Sequence, residues 1–290
     1  MVKLSLDRFQ LHDFAELAKL RIVVMVMLTA AAGFWLAGPE AHQAMVLFHV
    51  LVGTVLVASG TNALNQVSER EADALMHRTR HRPVPAGRLS VAAASAFAWV
   101  TGVAGVAYLG AFTNLLTAGI AAATLMSYAF VYTPLKKRTS IATLVGAVPG
   151  ALPIVGGWTA VRGTLSGEVW VLFWILFLWQ LPHFLALAWM YRDDYARAGF
   201  KMLSVGDPDG RKTFGYSTLY AAALVPVSLA PTIVGIAGTA YFVGAMVLSC
   251  VFLYASFSAV RHCTVAKARR VFRYSLAYLP LLLILMGSRI

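Results

Sequence analysis

Two carboxylates and an amide recur every four residues in the stretch 65–88, NQVSEREADALMHRTRHRPVPAGR, where ionisable side chains crowd into an otherwise apolar chain. If the preceding apolar helix continues through this stretch, Asn65, Glu69 and Asp73 fall at i, i+4 and i+8 and share about one quadrant of a single face. Glu71 turns to another face, so the pairing of 69 with 73 is a matter of geometry and not of acid content. Arg78, Arg80, Arg82 and Arg88 follow, and Pro83, Pro85 and Gly87 break the helix. Such a set suits a diphosphate: carboxylates hold a divalent cation, the cation neutralises phosphate oxygens, and guanidinium forks take the remainder. The competing reading is a solvated cytoplasmic loop carrying the basic residues that any membrane protein keeps inside. Spacing favours the site.

Two further segments carry matching chemistry. Tyr132-Thr133-Pro134-Leu135-Lys136-Lys137-Arg138 is a helix end, a proline stop and a basic triplet, which either anchors a helix at the headgroups or gives the same anion phenol and ammonium donors. The stretch WQLPHFLALAWMYRDDY places Gln180, His183, Leu187, Tyr191 and Asp194 on one helical face, leading from an intramembrane imidazole down to the acids Asp193 and Asp194. An ionisable group at membrane depth is a functional candidate, against the alternative of a histidine satisfied within the core. Pro182 cannot donate a helix hydrogen bond, so the backbone there can open and turn His183 inward.

The elements that must position these groups are membrane helices. A chain that is 59% hydrophobic and 12% charged, with mean hydropathy +0.72, is excluded as a soluble domain. Runs long enough to cross a ~30 Å hydrocarbon core occur near 22–38, 44–64, 91–110, 112–132, 143–161, 168–190, 216–236, 239–260 and 272–288. The expected fold is therefore all-α: a polytopic membrane protein of nine transmembrane helices, one domain over 1–290. Of the 24 Lys and Arg, 22 fall in alternate connections and only Arg162 and Arg289 in the others. That partition puts the N-terminus in the cytoplasm and the C-terminus outside, and it explains the net charge of +12 without nucleic acid. Seven of the 12 acids, Glu69, Glu71, Asp73, Asp193, Asp194, Asp207 and Asp209, lie in two of those connections. They follow the second and sixth helices, which hints at a pseudo-repeat of four-helix halves. Cys250 and Cys263 show no pairing or metal spacing. The last three helices read as structural.

Taken together, the N-x-x-x-E-x-x-x-D face, RT-x-x-RP-x-P-x-GR, YTPLK, GA-x-PGALP-x-x-GGW, WQ-x-PHF and DY-x-x-AG resemble the haem O synthase, or protohaem IX farnesyltransferase, branch of the intramembrane prenyltransferases. The resemblance runs from about Lys19 to the ARRVFRYSLAYLP segment. It implies nine helices around a central, lipid-accessible cavity, with two acidic loops capping a Mg²⁺-dependent diphosphate site. Carried over, the first motif is Asn65, Glu69 and Asp73, the diphosphate donors are Arg78, Arg82, Tyr132, Lys136 and Lys137, and the second metal motif falls at Asp193 and Asp194. There the acids are adjacent, where the family usually spaces them four apart. Lys19-Leu20-Arg21 also lacks the usual central proline, a change expected to alter only the helix start. The resemblance further implies farnesyl diphosphate and haem B as substrates, with His183 expected to face the cavity and bind the haem iron through a neutral nitrogen, and the bilayer of a bacterial cytoplasmic (inner) membrane as surroundings. A haem A synthase or an oxidase-assembly protein would receive the product. Two other readings use the same residues: a prenyltransferase for a quinone precursor or chlorophyll-type acceptor, and a transporter relaying ions through His183 and the acids. For a transporter the acids belong at mid-membrane depth, whereas these sit at helix ends on one side.

Overall fold

The structure, a computed structural model, describes residues 8–287; Lys3, Asp7 and Arg289 of the charge count lie outside the described residues. Among those residues every regular element is helical. The long helices are α2 (Leu20–Leu36), α3 (Ala44–Ser68), α5 (Val91–Phe112), α6 (Leu115–Met126), α8 (Ala142–Arg162), α9 (Gly167–Met190), α11 (Arg211–Ile233), α12 (Thr239–Val260) and α13 (Val265–Gly287). Short helices α1 (Arg8–Ala18), α4 (Arg70–Leu75), α7 (Thr133–Leu135) and α10 (Arg192–Arg197) stand beside the long ones. Among the described residues eight helices are long and apolar enough to cross a membrane, and a ninth span exists if α1 and α2, which meet at 49°, are one broken crossing. The break is Lys19, whose φ of 56° and ψ of 57° are left-handed, a conformation that costs a residue with a Cβ.

Three local departures from the expected helices matter for the site. The helix assumed to run through 65–73 ends at Ser68 and restarts at Arg70, with Glu69 at φ −99° and ψ 8° between them. The i→i+4 bonds survive that kink, with Glu69 N donating to Asn65 O at 2.9 Å and Asp73 N to Glu69 O at 2.7 Å. The face is therefore preserved. The junction of α9 with α10 is built the same way: α9 stops at Met190, Tyr191 sits at φ −116° and ψ 24°, and Tyr191 N donates to Leu187 O at 3.1 Å and Tyr195 N to Tyr191 O at 3.0 Å across it. Finally, α6 runs into a π-helical turn over Ser127–Tyr132. Pro134 there has no N–H to give, and Thr133 bonds back to Tyr128 O through both its N–H and, at 2.9 Å, its hydroxyl.

Packing in lipid gains little from apolar burial, so close approach must hold the helices together. A Cβ on Gly33 or Gly157 would run into the backbone of the facing helix, Ile154 or Ala30, and this seats α2 on α8. One apolar cluster joins α8, α9, α11, α12 and α13, and another joins α3, α5 and α6. Between them a cavity of about 330 Å³ opens, walled by α2, α3, α6, α8 and α9. Large apolar side chains such as Val100, Leu115, Ile233 and Ile284 point outward, as a lipid-facing surface requires.

The five basic connections gather at one end of the bundle. Arg88 pairs with Asp13 at 2.8 Å and with Glu16, His77 N donates to Asp194 at 3.2 Å, and Lys201 N donates to Lys136 O at 2.9 Å. Gly210 lies against Cys263. A small apolar cluster of Ala72, Met76, Ala188, Ala198, Phe200 and Met202 packs the segment after α3 onto the segment after α9.

Candidate active site

At that basic end the three residues of the 65/69/73 face each meet a cation from a different part of the chain. Lys19 Nζ donates to Asn65 Oδ1 at 2.9 Å from the α1–α2 break. Lys136 Nζ, just beyond α7, lies 2.7 Å from Glu69 Oε1. Arg82 Nη1, from the proline-rich turn, lies 2.7 Å from Asp73 Oδ2. The Asp73 side chain is 0% exposed and that of Glu69 7%. Burying such ions costs several kcal/mol each even when paired, so stability alone does not account for the cluster. It is also incomplete: Asp73 Oδ1 and Asn65 Nδ2 are buried without a hydrogen-bond partner. Lys19 also lies within electrostatic reach of Glu69, Asp73, Arg82 and Lys136. Lys136 and Arg82 thus pair one-to-one with Glu69 and Asp73, and Lys19 stands beside them on Asn65.

Tyr132 lines the cavity and stacks under Lys136, whose Nζ is 4.4 Å from the ring centroid. Burial works to lower the Lys136 pKa, yet the Tyr132, Glu69 and Tyr128 oxygens raise it well above the ordinary lysine value. The lysine stays charged. Gly146 makes room for the Tyr132 ring, because a Cβ there would overlap it. Tyr128 meets Tyr132 edge-on at 4.9 Å and also lines the cavity.

Deeper in the cavity wall, His183 is held between Trp179 and Phe272, with centroids at 5.6 and 4.6 Å. Its Nδ1 is 2.7 Å from Ser275 Oγ on α13, a helix expected to be purely structural. Gln180 lines the same wall and donates to Ala147 O at 2.7 Å.

The remaining expected residues are not brought into the cluster. Arg78 is exposed and lies over the Tyr191 ring at 4.9 Å, and Lys137 is exposed. As a second metal pair Asp193 and Asp194 are not assembled. Asp193 has a side chain 85% exposed beside Arg192, whereas buried Asp194 spends its Oδ1 on His77 N and Arg197. Desolvation works to raise the Asp194 pKa, but the His77 and Arg78 N–H groups and Arg197 outweigh it and leave it lowered. Asp207 likewise accepts from Thr213 N and Oγ1, both at 2.7 Å, at the start of α11. Adjacent residues on a helix diverge by about 100°, so neighbouring aspartates seldom face one site. Among the described residues one group of three or more potential ligands lies close enough to share an ion, His12, Asp13 and Glu16. Both of its carboxylates are already taken by Arg88.

Sequence reasoning missed Lys19, Tyr128 and Ser275. Lys19 and Tyr128 had a signal: a lysine at the mouth of an apolar helix, and a tyrosine one turn before Tyr132.

An all-helical membrane bundle whose polar end holds paired carboxylates and converging cations over an apolar cavity has the makings of an intramembrane prenyltransferase. Residues 26–279 match the profile of the UbiA prenyltransferase family, and the chain belongs to that family. It is 47% identical over 281 residues to a protein of Solibacter usitatus named protoheme IX farnesyltransferase, covering 94% of this chain and 96% of that one. It is 43% identical over 289 residues to a Koribacter versatilis protein of the same name, covering 95% and 92%. Its fold matches the structure described as digeranylgeranylglyceryl phosphate synthase in membranes, with a TM-score of 0.80 at 18% identity over 96% of this chain and 98% of that one. It also matches a UbiA homologue from Archaeoglobus fulgidus bound to DMAPP and Mg²⁺, with a TM-score of 0.63 at 13% identity over 92% and 99%.

Proposed function

We propose that this chain transfers the farnesyl group of farnesyl diphosphate to a vinyl group of haem B, with addition of water, giving haem O and diphosphate. The observation that carries this reading is the buried Glu69–Lys136 and Asp73–Arg82 lattice at the mouth of an apolar cavity, supported by the relatives named for that activity. Asp73 Oδ1, buried and without a partner, and the Glu69 carboxylate suit a divalent cation, so Glu69 and Asp73 are the residues that would hold Mg²⁺, with Asn65 beside them. Mg²⁺ bound there supplies charge neutralisation for the leaving diphosphate.

The chain's own groups do the rest. Arg82, Lys136 and Lys19 exchange their carboxylate and amide partners for phosphate oxygens, a switch that costs little because each cation is already placed. Arg78 and Lys137, exposed at the rim, serve as outer steering charges. Tyr128 and Tyr132 line the cavity, where aromatic rings stabilise an allylic cation once its C–O bond breaks. Ile22, Met25, Val26 and Val57 line the apolar part and keep water away from that cation. The terminal vinyl carbon of haem B attacks the farnesyl C1, and the positive charge moves to the carbon beside the macrocycle. Water then adds to that carbon and releases a proton. His183, at the wall of the same cavity, is the residue we assign to the haem iron.

We place the chain in a bacterial cytoplasmic membrane with the basic end inside, as one domain built from two related halves, passing its product to a haem A synthase or an oxidase-assembly protein. Incubating the purified protein with farnesyl diphosphate, haem B and Mg²⁺ should yield haem O by mass. No product from haem B, together with prenylation of 4-hydroxybenzoate, would move the activity to another acceptor. Arg138→Cys, with both native cysteines replaced, should react with an impermeant maleimide only after cells are opened. Labelling in intact cells would invert the topology.

A further inference from the structure

We propose that Ser275 is a positioning residue that fixes His183 as the tautomer protonated on Nδ1 and so leaves Nε2 as a lone-pair donor to the iron of haem B. This rests on the reading of His183 as the haem ligand. It adds the residue that makes the imidazole competent.

The argument is one of hydrogen counting. Ser275 Oγ lies 2.6 Å from Phe272 O and 2.7 Å from His183 Nδ1. A hydroxyl carries one hydrogen, and a carbonyl oxygen can only accept, so the short Oγ to Phe272 O contact must hold that hydrogen. Without it two oxygens would face each other with lone pairs alone. Oγ therefore accepts at its other contact, and Nδ1 of His183 is the donor. A neutral imidazole with its proton on Nδ1 keeps an unprotonated Nε2. Nε2 takes no hydrogen bond among the described residues, and His183 lines the cavity.

Orientation is fixed by the same unit. Trp179 and Phe272 stack on the imidazole at interplanar angles of 28° and 30°, and Phe184 meets its edge at 5.5 Å. Trp179 Nε1 donates to Ser275 O at 2.8 Å, so one wall of the sandwich is tied to the residue that sets the proton. Ser275 is 0% exposed, which leaves water no part in this arrangement. Metal-binding histidines ordinarily donate their second nitrogen to such an acceptor, which fixes the ring and raises the basicity of the ligating nitrogen. A serine that only held α9 to α13 would have no reason to leave Nε2 without a partner on a residue that lines the cavity.

The test compares wild type, Ser275→Ala, Ser275→Cys and His183→Ala, each solubilised and titrated with haem B. The Soret band, the iron–histidine stretch of the ferrous complex in resonance Raman, and the separate KM values for haem B and farnesyl diphosphate are read. Ser275→Ala should weaken haem binding about tenfold, the low end for loss of such an outer hydrogen bond. It should also lower the iron–histidine frequency and raise KM for haem B alone. Ser275→Cys, a weaker acceptor of nearly the same volume, should fall between and decides the matter if the alanine variant does not fold. An unchanged frequency and haem affinity in the folded serine variants, with the band lost in His183→Ala, would overturn the role of Ser275 and leave His183 as the ligand. An unchanged spectrum in His183→Ala would remove the ligand reading and Ser275 with it.

Discussion

The segments 65–82 and 191–213 both follow long membrane helices, both carry clustered acids, and both lie at the same end of the bundle. Their carboxylates are nevertheless employed differently. In the first, Glu69 and Asp73 face flexible cationic side chains that can be exchanged for a ligand, and Asp73 keeps one buried oxygen without a partner. In the second, Asp194 and Asp207 accept from Arg197 and the Thr213 hydroxyl but also from the backbone N–H groups of His77 and Thr213, which no ligand can displace without local unfolding. An acid held by side chains alone can exchange them for a ligand; an acid held also by backbone N–H groups ties those groups down. Through Asp194 and His77 N the second segment is tied to the loop that bears Arg82.

The largest effect should come from the first segment. Glu69→Gln or Asp73→Asn keeps size and loses charge, so turnover should fall at least a hundredfold, roughly 2.7 kcal/mol in barrier, with the protein still folded by size-exclusion chromatography. Activity within about threefold of wild type would dismiss the carboxylate as a metal ligand. Next comes Arg82→Lys, which keeps the charge but loses the planar fork, and turnover should drop about tenfold, ~1.4 kcal/mol. A fall as deep as that of Asp73→Asn would mean that the Asp73–Arg82 pair is needed for folding, which a thermal melt would reveal.

The second segment should respond in stability instead. Asp194→Asn should cost about 1–3 kcal/mol of unfolding free energy while the folded fraction keeps turnover within threefold. Loss of activity without loss of stability would make the two segments alike after all. The pH dependence has a definite sign: the Asp194 pKa is lowered in the folded state, so its contribution is complete above the ordinary value of 3.8 and disappears as pH falls below it. Melting midpoints of wild type between pH 6 and 3 should therefore drop more steeply than those of Asp194→Asn. The smallest effect belongs to Asp193→Asn, whose exposed side chain should tolerate the change with neither activity nor melting altered measurably.

Much of this was legible along the chain. The apolar runs, the one-sided distribution of Lys and Arg, and the spacing of Asn65, Glu69 and Asp73 are properties of local sequence, because membrane crossing and helical faces depend on neighbours within a few residues. Arg82, Tyr132 and Lys136 could be named from their motifs, but not matched to partners. Tertiary structure decided which cation meets which acid, since Lys19, Lys136 and Arg82 arrive from three separate connections. It also decided that Asp194 belongs to the loop above it and that Ser275 faces His183. Sequence periodicity fixes the face on which a side chain leaves its own helix; what waits on the opposite helix is set by packing between segments far apart in the chain, and no local pattern carries that information.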